Sequence, residues 1–354
     1  MRVLSVIESL LHGGAETVLV DLVAGLPQHQ HQVLHFSGAY GAAAHPWILT
    51  ELARLGVPCF DAPREVVANV ERRESAFGSM PPDIVLHHWW GTDTLRPWLD
   101  DPDAAHDETR PVFIAVLHRS GMAAPAGYDA YVLVTPTQRG QVDHIDHSRV
   151  FVIPNGVDLS RFQAGPAPAT GARPFTVGRL SNLRTGKIPE DWVRTASSFG
   201  LENARFVIAG DGALRPVLEA QARALGVSDA FSFPGYVARE DVPELLATFD
   251  ACCYVTSTAV ECHPLALLEA AAAGVPIVAE ARGGILDIVV DGESGLLAET
   301  VADVGPLLHR LQADTALRAR LSNGARLSAA RFSTERQAAG YADVLERLVP
   351  LRGR

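Results

Sequence analysis

The chain has almost no lysine. Of its 30 basic residues 29 are arginines, and Lys187 is the single exception. It has four cysteines (Cys59, Cys252, Cys253 and Cys262) at spacings that form neither a zinc site nor a disulfide framework, so reduced thiols and a cytoplasmic setting are expected. No apolar run approaches the length of a transmembrane helix, and Glu8 interrupts the apolar start too early for a signal peptide. Membrane association is therefore expected to be peripheral at most. Positive charge is not in excess either: the net charge is −11, and residues 1–165 carry 11 arginines against 19 carboxylates. A surface of that sign does not suit nucleic acid, and it disfavours an anionic lipid.

What is present is a globular composition, 47% apolar and 20% charged, over 354 residues. That length favours two domains over a single core. The apolar run Arg2–Ile7 reads as a buried strand, followed by a Gly13-Gly14 turn and an amphipathic helix to about Leu26, the unit that opens a Rossmann-like domain. Gly13 and Gly14 either let backbone approach a ligand or make a tight structural turn; the third glycine of a dinucleotide fingerprint is missing. Strands are predicted over 31–36, 57–60, 83–89, 111–117, 131–134 and 150–153, with a helix over 47–55. The fourth strand delivers His87, His88, Trp89 and Trp90 to its carboxyl end, where they would stack on and hydrogen-bond a sugar ring or else plug a domain seam. The fifth delivers His118 in the same way. A Pro/Gly/Ala-rich stretch, 163–174, reads as a linker between a domain at 1–162 and a second at 175–330. The second domain alternates strands near 175–179, 205–210, 231–237, 251–255 and 275–279 with helices, and a long helical pattern runs from 302 to 348 with a break near Arg331.

One stretch organises the second half, Glu261-Cys-His-Pro-Leu-Ala-Leu-Leu-Glu269-Ala-Ala-Ala-Ala-Gly274. Pro264 suits the first helical position, the residues after it are strong helix formers, and Gly274 supplies a left-handed stop. The free amides of the first turn form an anion site with the positive end of the helix dipole. Two carboxylates eight residues apart flank that site. Since carboxylates repel phosphate, they are expected to accept hydrogen bonds from hydroxyls, as on a ribose and a sugar.

These residues, taken with Gly-Gly-Ala-Glu at 13–16, Ile-Pro-Asn-Gly-Val-Asp at 153–158, Val-Gly-Arg-Leu at 177–180, Ala-Gly-Asp-Gly at 209–212 and Asp-Gly-Glu-Ser-Gly-Leu-Leu at 291–297, resemble the retaining glycosyltransferases of family 4. The resemblance covers nearly the whole length and is weakest over 38–110. It implies an α/β GT-B fold: two Rossmann-like domains facing across a cleft, with a C-terminal helix, 331–354, returning to the first. It implies transfer of a hexosyl group from a nucleotide-sugar, a UDP- or GDP-sugar, to a carbohydrate or glycosylated acceptor, with no metal or other cofactor. A non-catalytic binding protein or a phosphorylase of the same fold is the alternative. By resemblance, Arg179 and Lys187 hold the diphosphate, Glu261 the transferred sugar and Glu269 the ribose. Gly13, Gly14, Gly178, Gly210, Tyr236, Val237, His263, Leu265 and Ala266 line the donor, and His118 reaches the sugar near the reacting carbon. The family's lysine lies about five residues after the arginine, where this chain has Arg184; Lys187, eight residues on, is favoured as the chain's only lysine. His87, His88, Trp89 and Trp90 are assigned to the acceptor.

Overall fold

A computed structural model describes residues 1–11, 13–36, 44–62, 82–89, 91, 94–100, 110–162 and 173–351. The chain divides into two compact units, one formed by Met1–Asn155 with Thr334–Arg354 and the other by Gly156–Ser333.

The first unit is built on seven parallel strands: β1 (Arg2–Ile7), β2 (Gln30–His35), β3 (Cys59–Asp61), β4 (Ile84–Trp89), β5 (Val112–Leu117), β6 (Ala130–Leu133) and β7 (Val150–Val152). They lie in the order β3-β2-β1-β4-β5-β6-β7. β4 and β5 are buried along their whole length, as expected of parallel strands covered on both faces, and both read as continuous apolar runs apart from the two histidines of β4. One face is covered partly by the helix Gly14–Gly25 and by the last helix, Thr334–Leu348. The latter spaces Ala338, Tyr341, Val344, Leu345 and Leu348 along one side and buries them against Val3, Leu22, Leu26, Ile84 and Ile114. The linker stretch expected at 163–174 lies outside the described residues up to 172.

The second unit has six parallel strands: β8 (Phe175–Leu180), β9 (Ala204–Ala209), β10 (Phe231–Gly235), β11 (Ala251–Tyr254), β12 (Ile277–Glu280) and β13 (Gly295–Ala298). Their order is β10-β9-β8-β11-β12-β13. Apolar side chains fill a core on each face, and the helix Leu265–Ala272 belongs to one of them. The helical pattern at 302–348 resolves into three helices: the expected break near Arg331 falls between Ala329 and Thr334, and a second, unexpected one falls at Asp314. Its backbone is extended (φ −112°, ψ 96°), and its carboxylate accepts from the Leu317 amide at 2.8 Å, ending Val301–Ala313 and capping Thr315–Ala329.

Both sheets are doubly wound. Strand order reverses between β1 and β4 in the first unit and between β8 and β11 in the second. Loops at the carboxyl ends of those pairs are where open α/β sheets take ligands.

Candidate functional site

In the second unit, β8 runs into the segment 181–187 and β11 into 255–263. Main chain ties the two together: the amides of Ser257 and Ala259 both donate to the Gly186 carbonyl at 3.2 Å. This tie brings the single lysine onto the first carboxylate of the organising stretch. Lys187 Nζ donates to Glu261 Oε1 at 2.8 Å and Oε2 at 2.7 Å. Glu261 is 7% exposed, and the Tyr254 hydroxyl donates to its Oε1 at 3.2 Å. Burial, and after it the Glu261 charge, pushes the Tyr254 phenol well above its ordinary value, so it stays a neutral donor. Sequence reasoning missed Tyr254. At the end of an apolar strand it reads as core, and nothing local says that its hydroxyl meets a carboxylate seven residues on.

Arg179 lies beneath the pair at 1% exposure. Its guanidinium stands 4.5 Å from the Tyr254 ring centroid, donates from Nε to Ser181 Oγ at 3.1 Å and donates from Nη2 to the Lys187 carbonyl. Its buried Nη1 has no partner among the described residues. Arg179 therefore braces the Lys187 loop from behind while bringing positive charge to it. Arg184, at the family's usual spacing, is exposed and offers its carbonyl to the Lys187 amide.

The loop then enters the helix Leu265–Ala272. Pro264 keeps an extended ψ of 120° and serves as the N-cap, so the helix begins one residue later than the sequence predicts. The Pro264 carbonyl accepts from the amides of Leu267 and Leu268. No side chain caps this end, which leaves the Leu265 and Ala266 amides, on partly exposed residues, open to an outside acceptor. At the other end Gly274 has φ +73°, and the bonds from Gly274 to the Ala271 carbonyl and from Val275 to the Ala270 carbonyl make a Schellman stop. One turn into the helix Glu269 accepts from Arg161 Nη1 at 3.3 Å. Beside the loop, Gly284 donates its amide to the Glu261 carbonyl at 2.8 Å, and a Cβ there would lie 1.2 Å from the Cys262 carbonyl oxygen.

Other residues expected at the donor fall into two groups. Tyr236 is exposed and Val237 is partly buried at the carboxyl side of β10. Gly178, Gly210 and His263 instead serve the scaffold. Gly178 sits mid-strand, where a Cβ would overlap the Phe249 ring, and Gly210 makes room for the Ser181 carbonyl. The His263 ring is buried edge-on to Phe332, and burial pushes it down to about 3, so it is a neutral core group. Burial of its ring corrects the donor assignment for the His263 side chain.

In the first unit Gly13 caps the helix Gly14–Gly25 with extended backbone; a Cβ on it would lie 2.6 Å from Glu16 Oε2, and Gly14 is exposed. The histidines sort by face. His87 is fully buried on one side of the sheet with Nδ1 against the Tyr128 hydroxyl, and Trp89, 4% exposed, lies in the same core. Neither can reach an acceptor from there, which corrects the acceptor assignment for both. Trp90 lies outside the described residues. His88 points to the other face and meets His118 just past the end of β5: Nδ1 of His88 stands 2.9 Å from Nε2 of His118, and the rings stack with centroids 5.2 Å apart. Burial pushes His118 down to about 4 and His88 well below its ordinary value. Glu8, a buried carboxylate at the end of β1 that accepts from Thr94 Oγ1, was not foreseen.

Among the described residues no three His, Cys, Asp or Glu side chains gather as ligands of a metal ion, and no helix is long and apolar enough to cross a membrane.

Two family models match the chain, one described as Glycosyltransferase Family 4 over residues 12–161 and one as Glycosyl transferases group 1 over 173–328. A D-inositol 3-phosphate glycosyltransferase of Salinispora arenicola is 31% identical over 253 residues, covering 64% of this chain and 56% of that protein. A GDP-mannose-dependent alpha-(1-6)-phosphatidylinositol monomannoside mannosyltransferase of Mycobacterium tuberculosis is 32% identical over 162 residues, 42% of each chain. The chain thus spans about half the length of the curated relatives it matches. In fold it is similar to Anabaena HepE, solved in complex with UDP and glucose, with a TM-score of 0.80 over 98% of this chain and 99% of that one at 19% identity.

Proposed function

We infer the activity from the family: this chain belongs to the family 4 glycosyltransferases of the GT-B fold, and its reaction is the transfer of a glycosyl group from a nucleotide-sugar to a hydroxyl of a polyhydroxylated acceptor. The observation that carries this reading is the Lys187–Glu261 pair beside the uncapped amides of Leu265 and Ala266, at the strand-order reversal of the second sheet. An ammonium and two open amides suit a diphosphate, and a buried carboxylate beside them suits sugar hydroxyls. Glu269 is assigned to the ribose hydroxyls, Tyr236 to the base and His118 to a hydroxyl of a bound sugar.

In the reaction the bond from the anomeric carbon to the diphosphate oxygen breaks and a bond from that carbon to the acceptor oxygen forms. The acceptor proton passes to the departing phosphate, whose growing charge Lys187 and the helix amides stabilise. Configuration at the anomeric carbon is retained, and no metal is required. With Trp89 in the core, the case for an aromatic platform under the acceptor loses one of its two tryptophans. A sugar or a cyclitol remains the acceptor class, in keeping with relatives named for inositol phosphate acceptors.

The test is thermal unfolding with UDP, GDP, ADP or dTDP, each in EDTA. Saturation at about 100 times the dissociation constant adds about 2.7 kcal/mol, or roughly 5–10 °C in midpoint for units of this size. One responding nucleotide names the donor, and the anomeric signals of its transfer product then decide retention. No response to any of the four would refute the donor site and bring a non-catalytic role forward. Turnover that dies in EDTA and returns with a divalent cation would remove the metal-free reading.

A further inference from the structure

The histidine pair on the first sheet decides how His118 can act. Both side chains are neutral at pH 7, since burial holds each below its ordinary value. A bond between two neutral imidazoles needs one N–H and one bare nitrogen, so two arrangements exist. In the first, His88 donates from Nδ1 and His118 accepts at Nε2. In the second, His118 donates from Nε2 and His88 accepts at Nδ1, which puts the His88 proton on its own Nε2.

The surroundings of His88 separate the two. His88 is 0% exposed, and its Nε2 is buried with no hydrogen-bond partner. It lies within the run of β4, paired to Ile7 of β1 on one side and Val116 of β5 on the other. The second arrangement strands an N–H in that apolar setting, whereas the first leaves only a bare nitrogen there. Buried N–H groups without acceptors are the rarer and costlier of the two.

We propose that His88 is a positioning residue for sugar transfer: by donating from Nδ1 to His118 Nε2 it holds His118 as the Nδ1–H tautomer. His118 is then a hydrogen-bond donor through Nδ1, and its Nε2 is occupied and unavailable as a base. That suits the task of gripping a sugar hydroxyl by its oxygen without removing its proton. It also separates His88 from any contact with acceptor, the role its sequence position alone implies. The proposal rests on the assignment of His118 to a sugar hydroxyl only for its functional consequence. The tautomer itself does not depend on that assignment.

The test has two arms. Long-range proton–nitrogen correlation spectra of the full chain, labelled with nitrogen-15 histidine and assigned through His118→Asn and His88→Asn, report which nitrogen of each ring is protonated. The expected pattern is Nδ1 protonated and Nε2 bare for both rings; Nδ1–H is the minor form of a free histidine side chain, so it does not arise by default. A protonated Nε2 on His118 overturns the proposal, even with an active enzyme. In the kinetic arm, His88→Asn keeps an N–H donor at the Nδ1 position, while His88→Gln moves the amide to the far end and His88→Leu has none. His88→Gln and His88→Leu should lose roughly 2- to 12-fold in kcat/KM, the size of one hydrogen bond, and His88→Asn should recover most of it. Equal rates for all three would overturn the positioning role. If the tautomer is as expected but His118→Asn costs nothing, it is the sugar assignment of His118 that fails.

Discussion

Replacing Lys187 by methionine should separate two roles of one ion pair. The substitution keeps most of the apolar stem and removes the charge, leaving the Glu261 carboxylate with only the Tyr254 hydroxyl at 3.2 Å. Stranding a fully buried charge costs about 3–5 kcal/mol. Here Glu261 is nearly buried but the Lys187 side chain keeps 25% of its exposure. Solvent therefore shares the load, and about 1–3 kcal/mol is the working figure. At 2–4 °C per kcal/mol for a unit of this size, the midpoint should fall by roughly 2–12 °C. Adding Glu261→Gln removes the stranded charge and should return most of that stability. Turnover should move the other way: Lys187→Met should lose about 10²–10³ in kcat, and the double variant should be no better. The assays are differential scanning calorimetry on the two single variants and the double, and initial rates with the donor named by the nucleotide screen. A double variant less stable than Lys187→Met would refute the stranded-charge argument. A Lys187→Met enzyme with parental kcat would refute the phosphate role.

Tyr254→Phe keeps the ring under the Arg179 guanidinium and deletes only the bond to Glu261, so it should cost about 0.5–1.5 kcal/mol, read as a several-fold fall in kcat/KM with an unchanged circular dichroism spectrum. Gly284→Ala must push the Cys262 carbonyl away from a contact of 1.2 Å; roughly 1–3 kcal/mol of stability should be lost together with nucleotide affinity by calorimetric titration, and parental affinity would show that the two loops move apart freely. His87 and His118 are held at about 3 and about 4 by burial. Above pH ~6.5 they are neutral in both folded and unfolded chains, and below it the unfolded chain binds their protons first. Stability should thus be flat above that pH and fall towards pH 4 by up to about 1.4 kcal/mol per unit for each histidine. His87→Phe should flatten that acid limb in urea titrations, and an unchanged limb would sink the argument.

The alternation of strand and helix was legible because parallel strands buried on both faces leave unbroken apolar runs, as in Val112–Leu117, and because Gly274 marks a helix end with a residue that tolerates φ +73°. The Lys187–Glu261 contact was half legible: the sequence names both residues but not that the Gly186 carbonyl ties their loops together. Side-chain direction was the main thing hidden. His87, His88 and Trp89 are consecutive, yet a strand turns neighbours to opposite faces, and only the third dimension shows which face has a ligand-facing end. The packing of the glycines at 178 and 284 and of the tyrosine at 254 was hidden for a related reason. Their partners, Phe249, the Cys262 carbonyl and Glu261, come from other turns of the chain.

The last helix has a consequence for how the molecule is made. Tyr341, Val344 and Leu345 complete a core whose other members, Val3, Leu22 and Ile84 among them, leave the ribosome more than 250 residues earlier. The intervening unit, 156–333, is continuous in sequence and can close its own two cores while that final segment is still being synthesised. The first domain to begin is thus completed after the second, with the apolar flank of its sheet uncovered until residues 334–348 have emerged. Nascent chains stalled before residue 334 should carry a folded middle and an N-terminal part that recruits chaperones.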